Sequence, residues 1–455
     1  MTNTCLVFDI GKTNKKAVLV DEDYQIVWEK IEVFSEIVDQ DGFPCEDLTM
    51  LCKWVMETFD SVRENKLFRL KAINFSAYGA SFVHLGDDGQ VLTPLYNYLK
   101  PFPENLATSL YTKYGGVEKF SLETGSPNLG NLNSGLQLLR FKIEEMDVFS
   151  KVKYSLHFPQ YLSFLFTKTY TSELTSIGCH TALWDFKSNN YHSWVIKENL
   201  SVKLAPIRST EKTIKVNEFE LGIGIHDSSS ALVPYLISIE EPFLLLSTGT
   251  WSISLNPFDN TPLTFDELKK DCLFFLNYEG KPVKASRFLL GLEHEQRTKK
   301  LTEYFGLPYD TYKSVNFEYK IIQKFKNNKV DSKGIKHDVL KQNLDEDTQI
   351  ENYGSFEEAY HHLIYKLVCK QINSTKLVMN GIAVKKIFIT GGFSNNSIFM
   401  NLLADEFSNI EIFAANVPHA SAIGAAMVIN KSWNKKCILT NNIRVKKYAK
   451  HSPEV

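Results

Sequence analysis

Twice in this chain a short apolar run, a small polar turn and a second apolar run follow one another. The first unit is Leu6-Val7-Phe8-Asp9-Ile10, the turn Gly11-Lys12-Thr13-Asn14-Lys15-Lys16, then Ala17-Val18-Leu19-Val20. The second is Phe243-Leu244-Leu245-Leu246-Ser247, the turn Thr248-Gly249-Thr250, then Trp251-Ser252-Ile253-Ser254-Leu255. Runs of this length, bounded by turn residues, predict buried strands joined as hairpins. At 455 residues the chain also exceeds the size at which one core stops growing, about 250–300 residues. The repeat therefore predicts two related α/β halves, 1–238 and 239–455, divided near residues 236–242. Their residue-by-residue similarity is weak; what repeats is the architecture.

A third strand near Tyr24–Ile31 continues the first meander, and Leu48, Leu51, Trp54, Val55, Phe59 and Val62 predict a helix over Glu46–Asn65. Further strands are predicted at 71–76 and 386–390, with helices over 356–379 and around Gly424, and a loop entering a helix over Ile223–Val233. The polar stretch Lys320–Ile350 reads as a surface excursion, and the basic stretch Lys431–Lys450 as a solvated tail. Fifty-one Lys and Arg against 53 Asp and Glu leave a net charge of −2, so no positive field draws the chain to nucleic acid or an anionic membrane. No apolar window approaches the ~18 residues of a membrane helix. The first residues lack the basic and apolar regions of a signal peptide, and seven scattered cysteines lack Cys-x-x-Cys spacing. The expectation is a cytoplasmic protein with reduced thiols, no zinc site, and neither nucleic-acid nor membrane partners.

Gly11-Lys12-Thr13 invites comparison with a P-loop, but Leu6 stands where the first glycine belongs and the loop returns into a strand. What survives is a hairpin whose backbone N–H groups can face an anion, with Asp9 placed to hold a hydrated metal ion. The same residues also make a plain polar turn. Thr248-Gly249-Thr250 likewise offers hydroxyl and N–H donors without bulk, or simply a hairpin. Gly391 and Gly392, after the strand Lys386–Thr390 and before Asn395, permit close approach of a flat ligand or phosphate; otherwise they only connect strand to helix. Asp227, in the small-residue loop Gly222–Ala231, is either a helix cap or a general base facing a substrate hydroxyl.

The order Asp9-x-Gly11-x-Thr13-Asn14, Asp227, Ser247-Thr248-Gly249-Thr250, Gly391-Gly392 and Ser421–Ala426 resembles that of sugar kinases of the FGGY family. The more specific parts are the gap from Asp227 to Ser247 and the phrase Tyr78–Leu85 followed by Thr93-Pro94-Leu95-Tyr96-Asn97. The resemblance implies an α/β fold of two actin-like, ribonuclease-H-like ATPase domains flanking a cleft. It implies ATP and Mg²⁺ as cofactors and transfer of the γ-phosphate to a ketose hydroxyl in carbohydrate catabolism. Asp9 then resembles the residue that organises Mg²⁺, and Gly11, Lys12, Thr13 and Asn14 the first phosphate loop. Thr248, Gly249 and Thr250 resemble the second phosphate loop, and Gly391, Gly392 and Asn395 the adenosine loop. Asp227 is similar in place to the catalytic base. Tyr78, Gly79, His180 and Trp184 fall where the family meets its sugar, which is the chain's small-molecule partner; a homodimer is the assembly the resemblance allows.

The sequence departs from the family at Tyr78, often His, and at Tyr96-Asn97-Tyr98-Leu99-Lys100, where an acidic residue is usual. Aromatic groups there suit a sugar with an apolar methyl end, which places L-rhamnulose and L-fuculose slightly ahead of xylulose-like pentuloses. Tyr78-Gly79 replaces the Arg-Glu pair of glycerol kinases, and Pro418-His419-Ala420 lacks the acidic residue common before Ser421. The competing reading is a catalytically silent sugar or nucleotide sensor on the same fold; the presence of both Asp9 and Asp227 speaks against it.

Overall fold

The computed structural model describes residues 2–327, 350–436 and 443–449. In the first half β1 (Asn3–Ile10) runs antiparallel to β2 (Lys15–Asp21), with Asp9 opposite Lys16, and β3 (Ile26–Glu32) continues the meander. On the other side of β1 lie β4 (Arg69–Ala77), parallel to it, then β6 (Phe219–Gly222) and β5 (Thr213–Val216). The order is β5-β6-β4-β1-β2-β3, and the short strand Ile225–His226 also pairs with β4.

The second hairpin, β7 (Phe243–Thr248) and β8 (Ser252–Asn256), starts a sheet built on the same plan. It adds β9 (Cys272–Leu276), β10 (Pro282–Phe288), β11 (Lys386–Gly391), β12 (Glu411–Asn416) and β13 (Arg444–Tyr448). Its order is β9-β10-β8-β7-β11-β12-β13. In both sheets an antiparallel meander lies on one side of the first strand and two parallel strands lie on the other. The duplication expected from the two hairpins is thus one of topology.

Strand alternation divides the apolar residues between two faces. Leu6, Phe8 and Ile10 of β1 face α1 (Leu48–Glu64) and α2 (Phe158–Thr167), which cover the outer side of the first sheet. Cys5 and Val7 face the other way, onto α3 (Asp227–Ser238). The second sheet turns Phe243, Leu245 and Phe388 toward the same middle layer, and Leu244, Leu246 and Ile387 outward. Its outer cover includes α4 (Leu290–Phe305), α5 (Phe356–Lys376) and α6 (Ser397–Glu406). The second helix of the middle layer, α7 (Ala420–Val428), comes from late in the chain yet packs on β1 and β4 of the first sheet. It crosses α3 so closely that a Cβ on Gly424 would stand 1.9 Å from the Ser230 carbonyl oxygen. The long connection between β4 and β5 has its own core, around Phe82, Leu136, Trp184 and Trp194.

Two sequence expectations change. Part of the basic stretch Lys431–Lys450 is the edge strand β13, antiparallel to β12, with Lys447 paired to Glu411 and Lys446 over the Tyr448 ring. Lysines on an edge strand deter further strand addition, so a sheet edge here has the composition of a tail. Residues 437–442 and 450 of that stretch lie outside the described residues. In Lys320–Ile350, residues 320–327 belong to the helix Tyr319–Asn327, whose Ile322 is fully buried in the second half's core; 328–349 lie outside the described residues. Among the described residues no helix is long and apolar enough to cross a membrane.

Candidate active site

Asp9 ends the buried face of β1 and accepts a hydrogen bond from the Ser421 hydroxyl, 2.8 Å away at the start of α7. Burial raises its pKa and the Asp227 carboxylate adds to the rise; Ser421, Lys16 and Ser76 oppose it. Asp9 and Asp227 thus lie within electrostatic reach of one another. Lys16 follows on β2, on the same strand face as Val18 and Val20, which turns toward the middle layer.

Asp227 is the first residue of α3, and His226 is the residue that caps it. The Asp227 Oδ1 accepts from the Ser228 N–H at 2.6 Å and lies 3.2 Å from His226 Nε2. A third of the side chain is open, while protein crowds it elsewhere, and this burial pushes its pKa up to about 6. His226 is buried, which pushes its pKa down to about 4, so its ring meets Asp227 as a neutral neighbour and not as an ion-pair partner. Its Nδ1 lies 3.3 Å from the Ser229 hydroxyl, which in turn donates to the Leu276 carbonyl. A carboxylate with its ordinary hydration removed and one oxygen open is the arrangement a general base needs.

Three of the four predicted sugar-side residues gather here. Gly79 is pressed against His226: a Cβ would lie 3.0 Å from the imidazole Cδ2 and 2.7 Å from Cys179 Sγ. Tyr78 is buried, donates to Glu46 Oε2 at 3.3 Å and stands edge-on to Tyr98 at 5.9 Å. His180 adopts a left-handed backbone (φ +46°) and holds the Leu132 carbonyl oxygen 2.9 Å from Nδ1. Its ring is 5.9 Å from Phe275, which also touches His226. Burial, helped by the Arg287 charge, holds the His180 imidazole well below its ordinary pKa. Trp184 does not join them; it packs edge-on to Tyr191 in the core of the long connection.

On the other side, the two predicted second-half loops are fastened together. The Thr248 hydroxyl donates to the Thr390 carbonyl and accepts from the Phe393 N–H, so it holds the loops in register. Gly391 has φ +87°, and a Cβ there would stand 1.8 Å from the Thr248 carbonyl oxygen, so no other residue fits. Thr250 keeps its side chain exposed while its carbonyl accepts from the Gly291 N–H. Gly392 and Asn395 line a cavity of about 550 Å³ with His294, Tyr312, Asn316 and Ser397. Its size suits a ligand the size of a nucleoside, and the His294 and Tyr312 rings give it an aromatic wall. In the turn expected to be the first phosphate loop, the Gly11 N–H donates to the Asn14 carbonyl, and the Lys12 ammonium pairs with Glu36 at 2.6 Å.

Among the described residues no three His, Cys, Asp or Glu side chains cluster as a metal cage. A buried single carboxylate such as Asp9 instead fits Mg²⁺ that keeps waters and takes its remaining ligands from phosphate. Sequence reading passed over several groups. Arg287 follows Val283 and Ala285 on the face of β10 turned to the first half, bonds Asp271 through Nε and Nη2, and lies over Trp251. Lys16 and His226 were also unmarked; His226 carried one signal, being adjacent to the singled-out Asp227.

The model of the FGGY family of carbohydrate kinases, N-terminal domain, matches residues 4–218, and that of the carbohydrate kinase FGGY C-terminal domain matches 240–322. The chain belongs to the FGGY family. This FGGY chain is 23% identical over 264 residues to a rhamnulokinase of Oceanobacillus iheyensis, covering 54% of this chain and 55% of that protein. It is 24% identical over 268 residues to a rhamnulokinase of Halalkalibacterium halodurans, covering 55% and 56%. These matches span about half the length of the curated relatives. Among solved structures, a carbohydrate kinase from Novosphingobium aromaticivorans superposes with a TM-score of 0.79 at 20% identity, over 99% of this chain and 94% of that one. A ligand-bound xylulose kinase from Lactobacillus acidophilus gives 0.78 at 16% identity, over 99% and 94%. The shared fold is the two-domain, actin-like one of FGGY sugar kinases.

Proposed function

We propose that this FGGY chain transfers the γ-phosphate of ATP to a hydroxyl of a ketose, with Asp227 as general base. The observation that carries this is Asp227 itself. It is an open-sided carboxylate with a pKa near 6, within electrostatic reach of Asp9 and next to His226, against which Gly79 packs. Phosphoryl transfer passes through a loose transition state, so catalysis is mostly alignment and charge neutralisation. Asp227 orients the attacking hydroxyl and takes its proton. ATP is held by Gly11, Lys12, Thr13 and Asn14 on one side and by Thr248, Gly249 and Thr250 on the other, with adenosine against Gly391, Gly392 and Asn395. Mg²⁺ near Asp9 would supply neutralisation of phosphate charge. The sugar binds through residues 1–238, where Tyr78, Gly79 and His180 lie, and the nucleotide mainly through 239–455.

L-Rhamnulose is the first acceptor to test, followed by L-fuculose and xylulose. The aromatic pair Tyr78 and Tyr98 suits a methyl-ended sugar, and the rhamnulokinase relatives agree with it. The experiment is ADP release with Mg·ATP across a panel of ketoses, polyols and aldoses, with Asp227→Asn as control. One ketose should give a strong signal that the control loses. A flat panel with intact ATP binding would overturn the kinase reading in favour of a sensor.

A further inference from the structure

Lys15 is an anomaly in this fold. It begins β2 on the face shared with Ala17 and Leu19, and only 1% of it is exposed. An unpaired ammonium in such a place would be very costly. Its three donors, however, find three partners: the Gly11 carbonyl at 3.2 Å, the Lys12 carbonyl at 2.9 Å, and the Glu46 carboxylate at 2.8 and 3.0 Å. Glu46 is itself buried, and its Oε2 also accepts from the Tyr78 hydroxyl.

The two carbonyls belong to the first phosphate loop. A trans peptide unit is planar, with its C=O and N–H pointing in opposite directions. Turning the Gly11 and Lys12 carbonyls inward onto Lys15 therefore turns the N–H groups of Lys12 and Thr13 outward, away from the core. Those are the donors an anion-binding turn presents. We infer that Lys15, held by Glu46, is the positioning residue of this loop: its ammonium fixes the peptide orientation that makes the turn a phosphate binder. Because Glu46 also holds Tyr78, the same buried pair ties loop orientation to the wall of the sugar pocket. This rests on the nucleotide reading of the cleft given above.

The test is calorimetric titration of the full-length chain with Mg·AMP-PNP. Lys15→Met alone would strand a buried carboxylate, so the informative variant is Lys15→Met combined with Glu46→Gln, checked for folding by circular dichroism. Its affinity for Mg·AMP-PNP should fall about tenfold or more, the scale of one lost charge-assisted hydrogen bond or greater. Leu19→Ala, on the same strand face, should lower thermal stability without moving that affinity, because a dissociation constant does not depend on the folded fraction. An affinity of the double variant within twofold of wild type would overturn the assignment. So would an equal loss in Leu19→Ala, which would mean general loosening. Tyr78→Phe should weaken binding by a smaller factor, about two- to threefold, and an unchanged value overturns the link to the sugar wall. A wild-type chain that binds no Mg·AMP-PNP would overturn the nucleotide reading itself, a result distinct from failure of the variant alone.

Discussion

Asp227→Asn should cost turnover and return stability, and both effects follow from the same burial. Asn keeps the size of the side chain and an oxygen for the Ser228 N–H, but it accepts no proton. Loss of a general base lowers turnover by about 10²–10⁴. In the wild type, a carboxyl with a pKa near 6 is about nine-tenths ionised at pH 7, so kcat/KM should rise with pH through about 6 and then level. The residual rate of the variant should lack that rising limb. Stability moves the other way. The folded chain keeps the Asp227 proton up to about pH 6, whereas the unfolded chain loses it near 3.8, so the wild type is penalised as pH rises through that window. For a fully buried group the difference is worth about 3 kcal/mol. With a third of the side chain open, about 1–2 kcal/mol is the reasonable figure. An unfolding entropy of about 2.1 cal/mol/K per residue converts this, for 455 residues, to a Tm gain of about 1–2 °C. Initial rates across pH 5–9 and scanning calorimetry at about pH 8 and pH 4.5 test both arms. Turnover within tenfold of wild type would remove Asp227 from proton transfer. A Tm gain of the same size at both pH values would refute its attribution to a buried charge.

Asp9→Asn should raise the KM for Mg·ATP by about tenfold or more while leaving the protein folded, since Ser421 can still donate to the remaining oxygen; unchanged Mg²⁺ dependence of the rate would count against Asp9 as metal ligand. Gly391→Ala places a Cβ 1.8 Å from the Thr248 carbonyl oxygen at φ +87°, so nucleotide affinity, read by calorimetry, should drop at least about tenfold as the loop proposed to hold adenosine shifts. Gly424→Val should force α3 and α7 apart and cost about 2–3 kcal/mol, a fall in Tm of about 2–3 °C for a chain of this length; an unchanged Tm would mean that the crossing is not tight in solution.

The parts of the fold legible in sequence were those encoded locally. The two hairpins, the helix over Leu48–Glu64 and the strand Lys386–Gly391 each carry their own periodicity and end signals. Contacts between distant segments left no such trace. The Ser421 hydroxyl reaches Asp9 only because α7 packs back on the first sheet, and nothing near Ser421 advertises that. Arg287 is one basic residue among many until strand alternation turns it to the cleft side, and Lys15 reads as loop polarity although it lies in the core. Strand β13 was hidden because the lysines that protect a sheet edge are the residues that make a segment read as solvated. Trp184 looked like a pocket aromatic but satisfies a separate apolar core, a distinction that spacing alone does not carry.

The return of α7 to the first sheet also sets an order of events during synthesis. The inner face of that sheet, with Cys5, Val7, Val18 and Val20, is covered in part by Ala422, Ala425 and Ala426. These residues emerge about 190 positions after α3 is complete, which at about 5–20 residues per second is roughly 10–40 s later. Through that interval the first sheet has only part of its inner cover, and the amide of Asn74, which bonds the Ala425 carbonyl at 2.7 Å in the finished molecule, has no helix to meet. The nascent chain therefore holds an open apolar face that waits for Ala420–Val428 to close it. Completion of the first half is postponed until residues 420–428 have been made, and a chain truncated before residue 420 would leave both halves unfinished.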